Sequence, residues 1–526
     1  MTIQQTPVGQ PLPRLDGPLK VTGTATYAYE YPATNPAYLF PLQASIPRGR
    51  ITNLDTSAAE ALDGVIAILS TRTAPELVDT DDREMAILID DEVHFRGQLI
   101  GGVIAQTAEI AREAAGLVRV EYAEEPFQTE LDPDSDDLYQ PESLIDQQPS
   151  DSDDGDLDAA LSDAEVLIDQ TYTTPMEHNN PMEPHATVAL WHENPDDRIK
   201  LTLYDSTQGV HWVAQAIAPL FGLDPEQVRV VAPYVGGGFG SKGTPHAHNT
   251  LAALAARLVP GRTVKLALTR QAMFTLTGQR TPTVQRLRLA ADKDGTLRGI
   301  GHDAIEHTSR VKDFIEQTAE LSRMMYAAES RRTSHRVASL DVPVPTYMRA
   351  PGEAPGSFGL EVAMDELAVA CGIDPIELRR RNEPERDPGL DKPWADRRVI
   401  ECLTEGAARF GWQQRDPRPG VRRDGEWLEG TGVAVATYPH MAFPGSAAEI
   451  DFDESGYQVR IGAVDIESIC IGEADPRASA MGARGAGELG TVGVAAAIAN
   501  ATYHATGKRV RDLPLAPERF LTPVAG

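Results

Sequence analysis

QVRVVAPYVGGGFGSKGTPHAHNTLAALAARL, residues 227–258, is the stretch whose reading decides the fold class. Gln227 to Val235 alternates apolar residues in the two-residue period of a strand. The glycines from Gly236 to Gly243 end that strand, and the Ala/Leu-rich run after them has helical spacing, with Thr244-Pro245 supplying a cap and a first-turn proline. A strand, a glycine loop and a helix in succession form the α/β unit that gathers ligands at the carboxyl end of its strand. Upstream, Ile199 to Asp205 (IKLTLYD) reads as a second strand, joined to the first by a helix from about His211 to Phe221. Nearer the N-terminus, Gln98 to Gln106 reads as a buried strand. Thr107 then caps a helix whose Ile110, Ala114, Leu117 and Val118 share a face. Downstream the clearest helix places Leu360, Ala363, Met364, Leu367, Ala368 and Cys371 on one face and stops at Gly372. Asp374-Pro375-Ile376-Glu377 starts another with a capping-box pattern. The class expected is α+β, mixed α/β, with several domains.

A chain of 526 residues, 41% of them hydrophobic, can bury large cores and divides into three or four domains on length alone. Its formal charge of -30 repels nucleic-acid phosphates and anionic lipid, so no nucleic acid is expected as a partner. The three cysteines, Cys371, Cys402 and Cys470, have no cluster spacing, so an iron-sulfur centre would have to lie on another chain. No apolar run reaches the ~18 residues of a membrane span, and MTIQQTPVGQPLPRLDG contains neither an apolar signal core nor twin arginines. The expectation is a chain without an export signal of its own. The segment from Leu131 to Asp158, crowded with Asp, Ser and Pro, reads as a solvated linker.

Three constellations carry chemistry. Gly236-Gly237-Gly238-Phe239-Gly240-Ser241-Lys242-Gly243 lets backbone amides approach a ligand. It is no Walker loop, since Ser241 precedes Lys242 and no hydroxyl residue follows. Gly238, Gly240 and Gly243 satisfy G-x-G-x-x-G, but the acidic residue that a dinucleotide reader needs after the next strand is missing between Thr244 and Ala291. An NADP-binding Rossmann protein, with Arg270 in place of that acid, is therefore the lesser alternative, and a purely structural turn is another. Met348-Arg349-Ala350-Pro351-Gly352-Glu353 sets an always-charged fork on a rigid turn, suited to an anionic ligand or to a surface loop. Gly485-Ala486-Gly487-Glu488-Leu489-Gly490 sets one carboxylate among glycines, where it can approach a reacting centre as a base or remain an ordinary loop glutamate. His178, His185, His246 and His248 invite a metal reading, yet the one-residue gap between His246 and His248 suits no zinc pattern. Ser206-Thr207-Gln208 offers a polar amide at a strand end.

Taken in chain order, RLDGPLKVTGTATYAYEY near the N-terminus, MEPHA at Met182 to Ala186, STQ at Ser206 to Gln208, GGGFG at Gly236 to Gly240, YMRAPGE at Tyr347 to Glu353, MDELA at Met364 to Ala368 and GARGAGELG at Gly482 to Gly490 resemble the large subunit of the xanthine oxidase and aldehyde oxidase family of molybdenum hydroxylases, in its periplasmic-type aldehyde oxidoreductase branch. The resemblance implies an α/β hammerhead domain over residues 1–130, the linker 131–158, a first molybdopterin-binding domain over 159–400 and a remnant of a second over 401–526. It implies that Gln208 bonds an oxygen ligand of molybdenum. Gly237, Gly238, Phe239, Gly240 and Gly487 would line the cofactor, Arg349 would stand beside it, and Glu488 would be the base that deprotonates the metal-bound hydroxide. The metal would be held by the pterin, not by side chains, as molybdopterin cytosine dinucleotide. The implied reaction oxidises an aldehyde to a carboxylic acid with water as oxygen source. Electrons would leave through a small [2Fe-2S] subunit and a medium FAD subunit of a heterotrimer, in the cytoplasm, or in the periplasm after co-export with a partner.

Family members continue from a strand like the one ending Gly462-Ala463-Val464-Asp465-Ile466 into a G-x-G-x-x-T loop that wraps the pterin. Here Glu467-Ser468-Ile469-Cys470 follows Ile466, and the chain resumes with a segment that in the family lies much further on. The expectation is an internal deletion after Ile466 that removes most of the second cofactor-binding domain. Three forms fit it: a minimal enzyme, a non-catalytic relative that keeps the fold without the cofactor, and a chain whose site a second polypeptide completes.

Overall fold

The computed structural model describes residues 13–194, 196–394, 396–425, 427–438, 487–516 and 519. The expected deletion junction at Ile466 and the strand before it lie outside the described residues. The N-terminal part supplies β1 (Ala37–Gln43), β2 (Gly49–Asp55), β3 (Val65–Leu69), β4 (Glu92–Val93), β5 (Leu99–Ala105) and β6 (Arg119–Glu124). Every residue of β5 is buried, as its unbroken apolar run requires, and the Thr107 hydroxyl accepts from the Ile110 N–H to start the Ala108–Leu117 helix. Next come β7 (Ser152–Asp154), β8 (Val166–Thr174), β9 (Ala186–Trp191), β10 (Leu201–Asp205), β11 (Val228–Val231) and β12 (Val264–Ala267). β13 (Thr283–Ala291), β14 (Leu297–Ser309) and β15 (Ser330–Leu340) complete the set. They form a seven-stranded sheet ordered β11-β10-β9-β12-β1-β5-β3, a five-stranded sheet ordered β7-β15-β14-β13-β8, and a small sheet β4-β2-β6. β1 runs parallel to β12, Ala37 opposite Val264, so the larger sheet takes strands from both sides of residue 130.

Two large cores result. One packs the Ala247–Leu258 helix, through Leu251 and Leu254, on the seven-stranded sheet. The other surrounds the Glu353–Cys371 helix, where Leu287 and Leu289 of β13 face Phe358 and Leu360, and Ala496 and Ala499 of the Val494–Thr506 helix close the far side. Sandwiched this way, the Glu353–Cys371 helix is buried from Pro355 to Ala368 on all its faces, not on the single apolar stripe read from the sequence. It also begins earlier. Glu353 opens it, and Pro355 and Gly356 fall in its first turn, because the missing proline N–H costs nothing there. Gly372 ends it in the left-handed conformation, and the Asp374 carboxylate accepts from Ile376 and Glu377 to start the Pro375–Arg381 helix.

Two other expectations are corrected. The helix after the glycine loop starts at Ala247 with His246 as its cap, so Thr244-Pro245 lies in the loop before it. The acidic segment 131–158 is not a solvated linker. Tyr139 bridges to Val337, and Ser152–Asp154 joins the edge of the five-stranded sheet antiparallel to β15. The reason is charge complementarity, since Asp151, Asp153 and Asp154 meet Arg336, Arg332 and Arg331 of that strand. Among the described residues only this end of the acidic run is paired with arginines, ~180 positions away; Asp132, Asp134, Asp136 and Asp137 stay exposed. No helix among the described residues is long and apolar enough to cross a membrane.

Candidate functional site

The site is assembled at the ends of strands. β10 ends at Asp205, whose carboxyl is fully buried; burial pushes it up to about 6, and Thr187 Oγ1 and Asn249 Nδ2 donate to it. The chain then turns so that the Gln208 N–H donates to the Lys242 carbonyl, 2.7 Å away. The Gln208 side chain crosses to the glycine loop, where Oε1 accepts from the Gly240 N–H at 3.0 Å. With its oxygen committed, Gln208 presents Nε2 as the donor left for a ligand.

The loop itself is held from behind. Lys242 is buried, and Nζ donates to both the carbonyl and the carboxylate of Glu183, 3.0 and 2.9 Å away. Glu183 Oε2 also accepts from the Gly236 N–H at 2.7 Å. Lys242 is thus a structural cation facing inward and is unavailable to a phosphate. His185 and His246 each place Nε2 on the Ser241 carbonyl, at 3.0 and 2.8 Å, so both must carry a proton on that nitrogen. Burial drives His185 and His248 well below the ordinary histidine range, and the three rings pack as neighbours that brace the loop. Phe239 adopts φ +56° and stands half-exposed at the tip, an uncommon backbone for a bulky residue.

That strained tip meets the arginine segment. The Arg349 N–H donates to the Phe239 carbonyl at 2.9 Å, and Asn179 Nδ2 bridges the carbonyls of Phe239 and Tyr347 at 2.8 and 3.1 Å. Gly240 makes the approach possible. Its φ is +105°, and a Cβ there would fall 2.3 Å from the Tyr347 carbonyl oxygen. At Gly238 the φ is ordinary, and an added Cβ would meet the end of the Gln208 side chain, Oε1 at 2.2 Å, so a residue there would displace that amide. Gly240→Ala is therefore expected to cost about 2 kcal/mol or more, from the positive φ and the clash together, and to lower the urea midpoint. An unchanged midpoint would show that the two loops are not packed this tightly.

Arg349 itself is exposed and reaches across to the C-terminal segment, where Nε donates to the Gly487 carbonyl at 2.6 Å and Nη2 to the same oxygen. Glu488 follows directly. It lines a cavity of about 1450 Å³ together with Tyr438, Arg397 and Trp394. Burial and a hydrogen bond to Glu488 hold the Tyr438 hydroxyl well above the ordinary phenol range, so the tyrosine keeps its proton and donates it. Gln208, Phe239 and Arg349 do not line this cavity. They join Glu488 through the Arg349–Gly487 contact.

Four segments far apart in sequence are thus brought together: Gln208, Gly237 to Gly240, Arg349, and Gly487-Glu488. The N–H groups of Gly237, Gly238 and Phe239 donate to no described residue, and with Gln208 Nε2 they form a set of neutral donors flanked by one guanidinium. Such a set suits an anionic, oxygen-rich ligand, with Glu488 as an acceptor at its edge. Sequence reasoning missed the supports Asn179, Glu183 and Arg280, and it named Lys242 without its inward-facing structural role. Glu183 sits in the MEPHA motif, which was noticed without a role, whereas Asn179 and Arg280 leave no signal in the sequence.

Known proteins resemble the chain over two regions. Residues 22–126 match the family model "Aldehyde oxidase and xanthine dehydrogenase, a/b hammerhead domain", and residues 139–383 match "Molybdopterin cofactor-binding domain". The "Aldehyde oxidoreductase molybdenum-binding subunit PaoC" of Escherichia coli (strain K12) is 41% identical over 456 residues, 85% of this chain and 60% of the relative. The "Nicotinate dehydrogenase large molybdopterin subunit" of Eubacterium barkeri is 27% identical over 70% of this chain and 87% of its own length. In fold, the aldehyde oxidoreductase from Desulfovibrio gigas superposes with a TM-score of 0.68 at 23% identity, over 83% of this chain and 50% of that one. The chain spans about 60% of the length of the Escherichia coli relative. Gln208, the glycine loop and Arg349 lie inside the second matched region; Glu488 lies beyond it.

Proposed function

Because the chain belongs to the xanthine oxidase and aldehyde oxidase family of molybdenum hydroxylases, we propose that it acts as the molybdenum-cofactor-binding part of an aldehyde oxidoreductase that turns aldehydes into carboxylic acids. The observation that carries the reading is the hydrogen-bonded path Gln208–Gly240, Phe239–Arg349, Arg349–Gly487, ending beside the Glu488 carboxylate. The residues fit the group, since the N–H groups of Gly237, Gly238 and Phe239 and Gln208 Nε2 donate to no described residue and suit an oxygen-rich anion. When bound, the molybdenum and its pterin supply the two-electron oxidation and the activation of water. Gln208 Nε2 and the glycine-loop amides would hold the group by donating to its oxygens, and Arg349 fixes the carbonyl that precedes Glu488. Glu488 takes the proton that leaves the attacking water. The cytosine dinucleotide form of the cofactor, the [2Fe-2S] and FAD partner subunits as electron exit, and a cytoplasmic or co-exported periplasmic location complete the proposal.

A second reading, in which another polypeptide completes the cofactor cage, draws on one observation. The chain covers 60% of the Escherichia coli relative but 87% of the Eubacterium barkeri large molybdopterin subunit, so a subunit of about this extent occurs within the family. Elemental mass spectrometry and release of the oxidised pterin, on the chain purified alone and co-purified with its companion subunits, separate the two. Near-stoichiometric molybdenum with cytosine dinucleotide in the chain alone supports a complete cage, and loading only in company supports the split one. No molybdenum in either, under conditions that load an intact relative, would sink the proposed activity.

A further inference from the structure

Arg349 is aimed by a second arginine that lies entirely behind it. Arg280, 6% exposed, directs Nη2 at three successive carbonyls, those of Met348, Arg349 and Ala350, the last two at 2.8 and 3.1 Å. One guanidinium nitrogen gathering three consecutive carbonyls forces that segment into a tight arc, and Ala350 accordingly sits at φ +59°. An alanine in the left-handed region persists only where its surroundings over-determine it. The surroundings here are charged. Arg280 Nε is 3.4 Å from Glu316 Oε2, an ion-pair contact without a hydrogen bond, and that same oxygen accepts from the Gly352 N–H at 2.7 Å, so one carboxylate faces both the guanidinium and the chain just beyond the arc. Glu177 Oε2 lies 3.4 Å from Nη1 on the outer side. Burial pushes the Glu316 carboxyl up, and Arg280 and the Gly352 N–H pull it back toward ionisation.

The consequence runs outward. The arc ends in the side chain of Arg349, which holds the Gly487 carbonyl, and Gly487 carries Glu488. We propose that Arg280, oriented by Glu316, is a positioning residue for the site: it sets Arg349, and through the Arg349–Gly487 contact it fixes the Glu488 carboxylate. Neither touches a ligand. The inference deepens the proposed function, because Glu488 is the base there, yet the positioning itself is a property of the protein and can be read without turnover. Lysine is the informative replacement at 280. It keeps the charge and loses the planar fork that collects several carbonyls at once.

The test is amide hydrogen exchange on the full chain, followed by peptides covering residues 487–492, with the Ala247–Leu258 helix as internal reference. Arg280→Lys is expected to speed exchange in the 487–492 peptide at least tenfold and to leave the reference helix unchanged. Glu316→Gln keeps the shape and the acceptor for the Gly352 N–H while losing the charge; it should give the same change to a smaller degree, and it decides the matter if Arg280→Lys does not fold. In cofactor-loaded protein the same variants should lower kcat about tenfold with KM within about twofold. Neither should add a loss in a Glu488→Gln background, as groups acting through one residue are non-additive. Unchanged exchange at 487–492 in both variants overturns the inference even if the enzyme is active. Faster exchange in a chain that binds no molybdenum upholds the positioning and refutes the activity.

Discussion

Glu488→Gln in the cofactor-loaded chain should lower aldehyde turnover by ~10²–10⁴, the range over which a positioned proton acceptor contributes. Glutamine has the same shape as glutamate and can accept the Tyr438 hydroxyl proton through its Oε1, so the C-terminal segment keeps its place and Arg349 keeps the Gly487 carbonyl. What is lost is the capacity to take up a proton. The loss should therefore fall on kcat, with KM within about twofold, and molybdenum and pterin content should equal those of the parent. A variant that loses metal along with activity would show instead that Glu488 helps to retain the cofactor. A fully loaded variant turning over within tenfold of the parent would remove Glu488 from the chemistry. Gln208 Nε2 and the glycine-loop amides would then account for catalysis by orientation and electrostatics alone.

How much of this was legible before the fold depended on the range of the interactions. The strand-loop-helix at 227–258, the Thr107 and Asp374 caps and the Gly372 stop are written in residues within four positions of one another, and the structure has all of these elements. The motifs also pointed to segments that the fold joins, since Gln208 contacts Gly240, Phe239 contacts Arg349, and Arg349 contacts Gly487. Long-range compensation was not legible. The aspartates at 151, 153 and 154 read as solvated because their arginine partners stand about 180 residues on. Glu361 and Glu366 lie outside the apolar face read for the helix, yet both are buried, one against Arg379 and the other against Arg511 and Tyr172. Hydrophobic periodicity reports which positions are apolar, and it cannot report a charge whose partner arrives from another element. Arg280 escaped notice for the same reason: its three acceptors are backbone carbonyls, which every residue type supplies.

The Glu361–Arg379 pair should also give the largest stability effect in the molecule. Both side chains have no solvent exposure. Arg379 donates from Nε and Nη2 to Glu361 Oε2 at 2.9 and 2.8 Å, from Nη2 to the Glu361 carbonyl at 3.1 Å and from Nη1 to the Pro375 carbonyl at 3.0 Å. The glutamate is a hub as well. Its Oε1 accepts from the Tyr326 hydroxyl, its Oε2 from the Val435 N–H at 2.6 Å, and its backbone carbonyl from Asn500 Nδ2 at 3.3 Å. Glu361 therefore ties the central helix to the Pro375–Arg381 helix and to the segment at Val435 through its carboxylate, and to the Val494–Thr506 helix through its carbonyl. Arg379→Met fills much of the arginine's volume but leaves an ionised group buried without its counter-charge, a loss of about 3–5 kcal/mol. That should appear as a marked fall in the urea midpoint. Glu361→Leu added to Arg379→Met should recover part of the loss, because an apolar pair of similar volume often replaces a buried ion pair at little cost. Tyr326 and the Val435 N–H would still be left without an acceptor, so recovery should stop short of the parent. A single variant within about 1 kcal/mol of the parent would mean that the helix sandwich is held by its apolar faces alone. The charged hub would then have to be understood through what it positions, namely the chain on either side of Glu488.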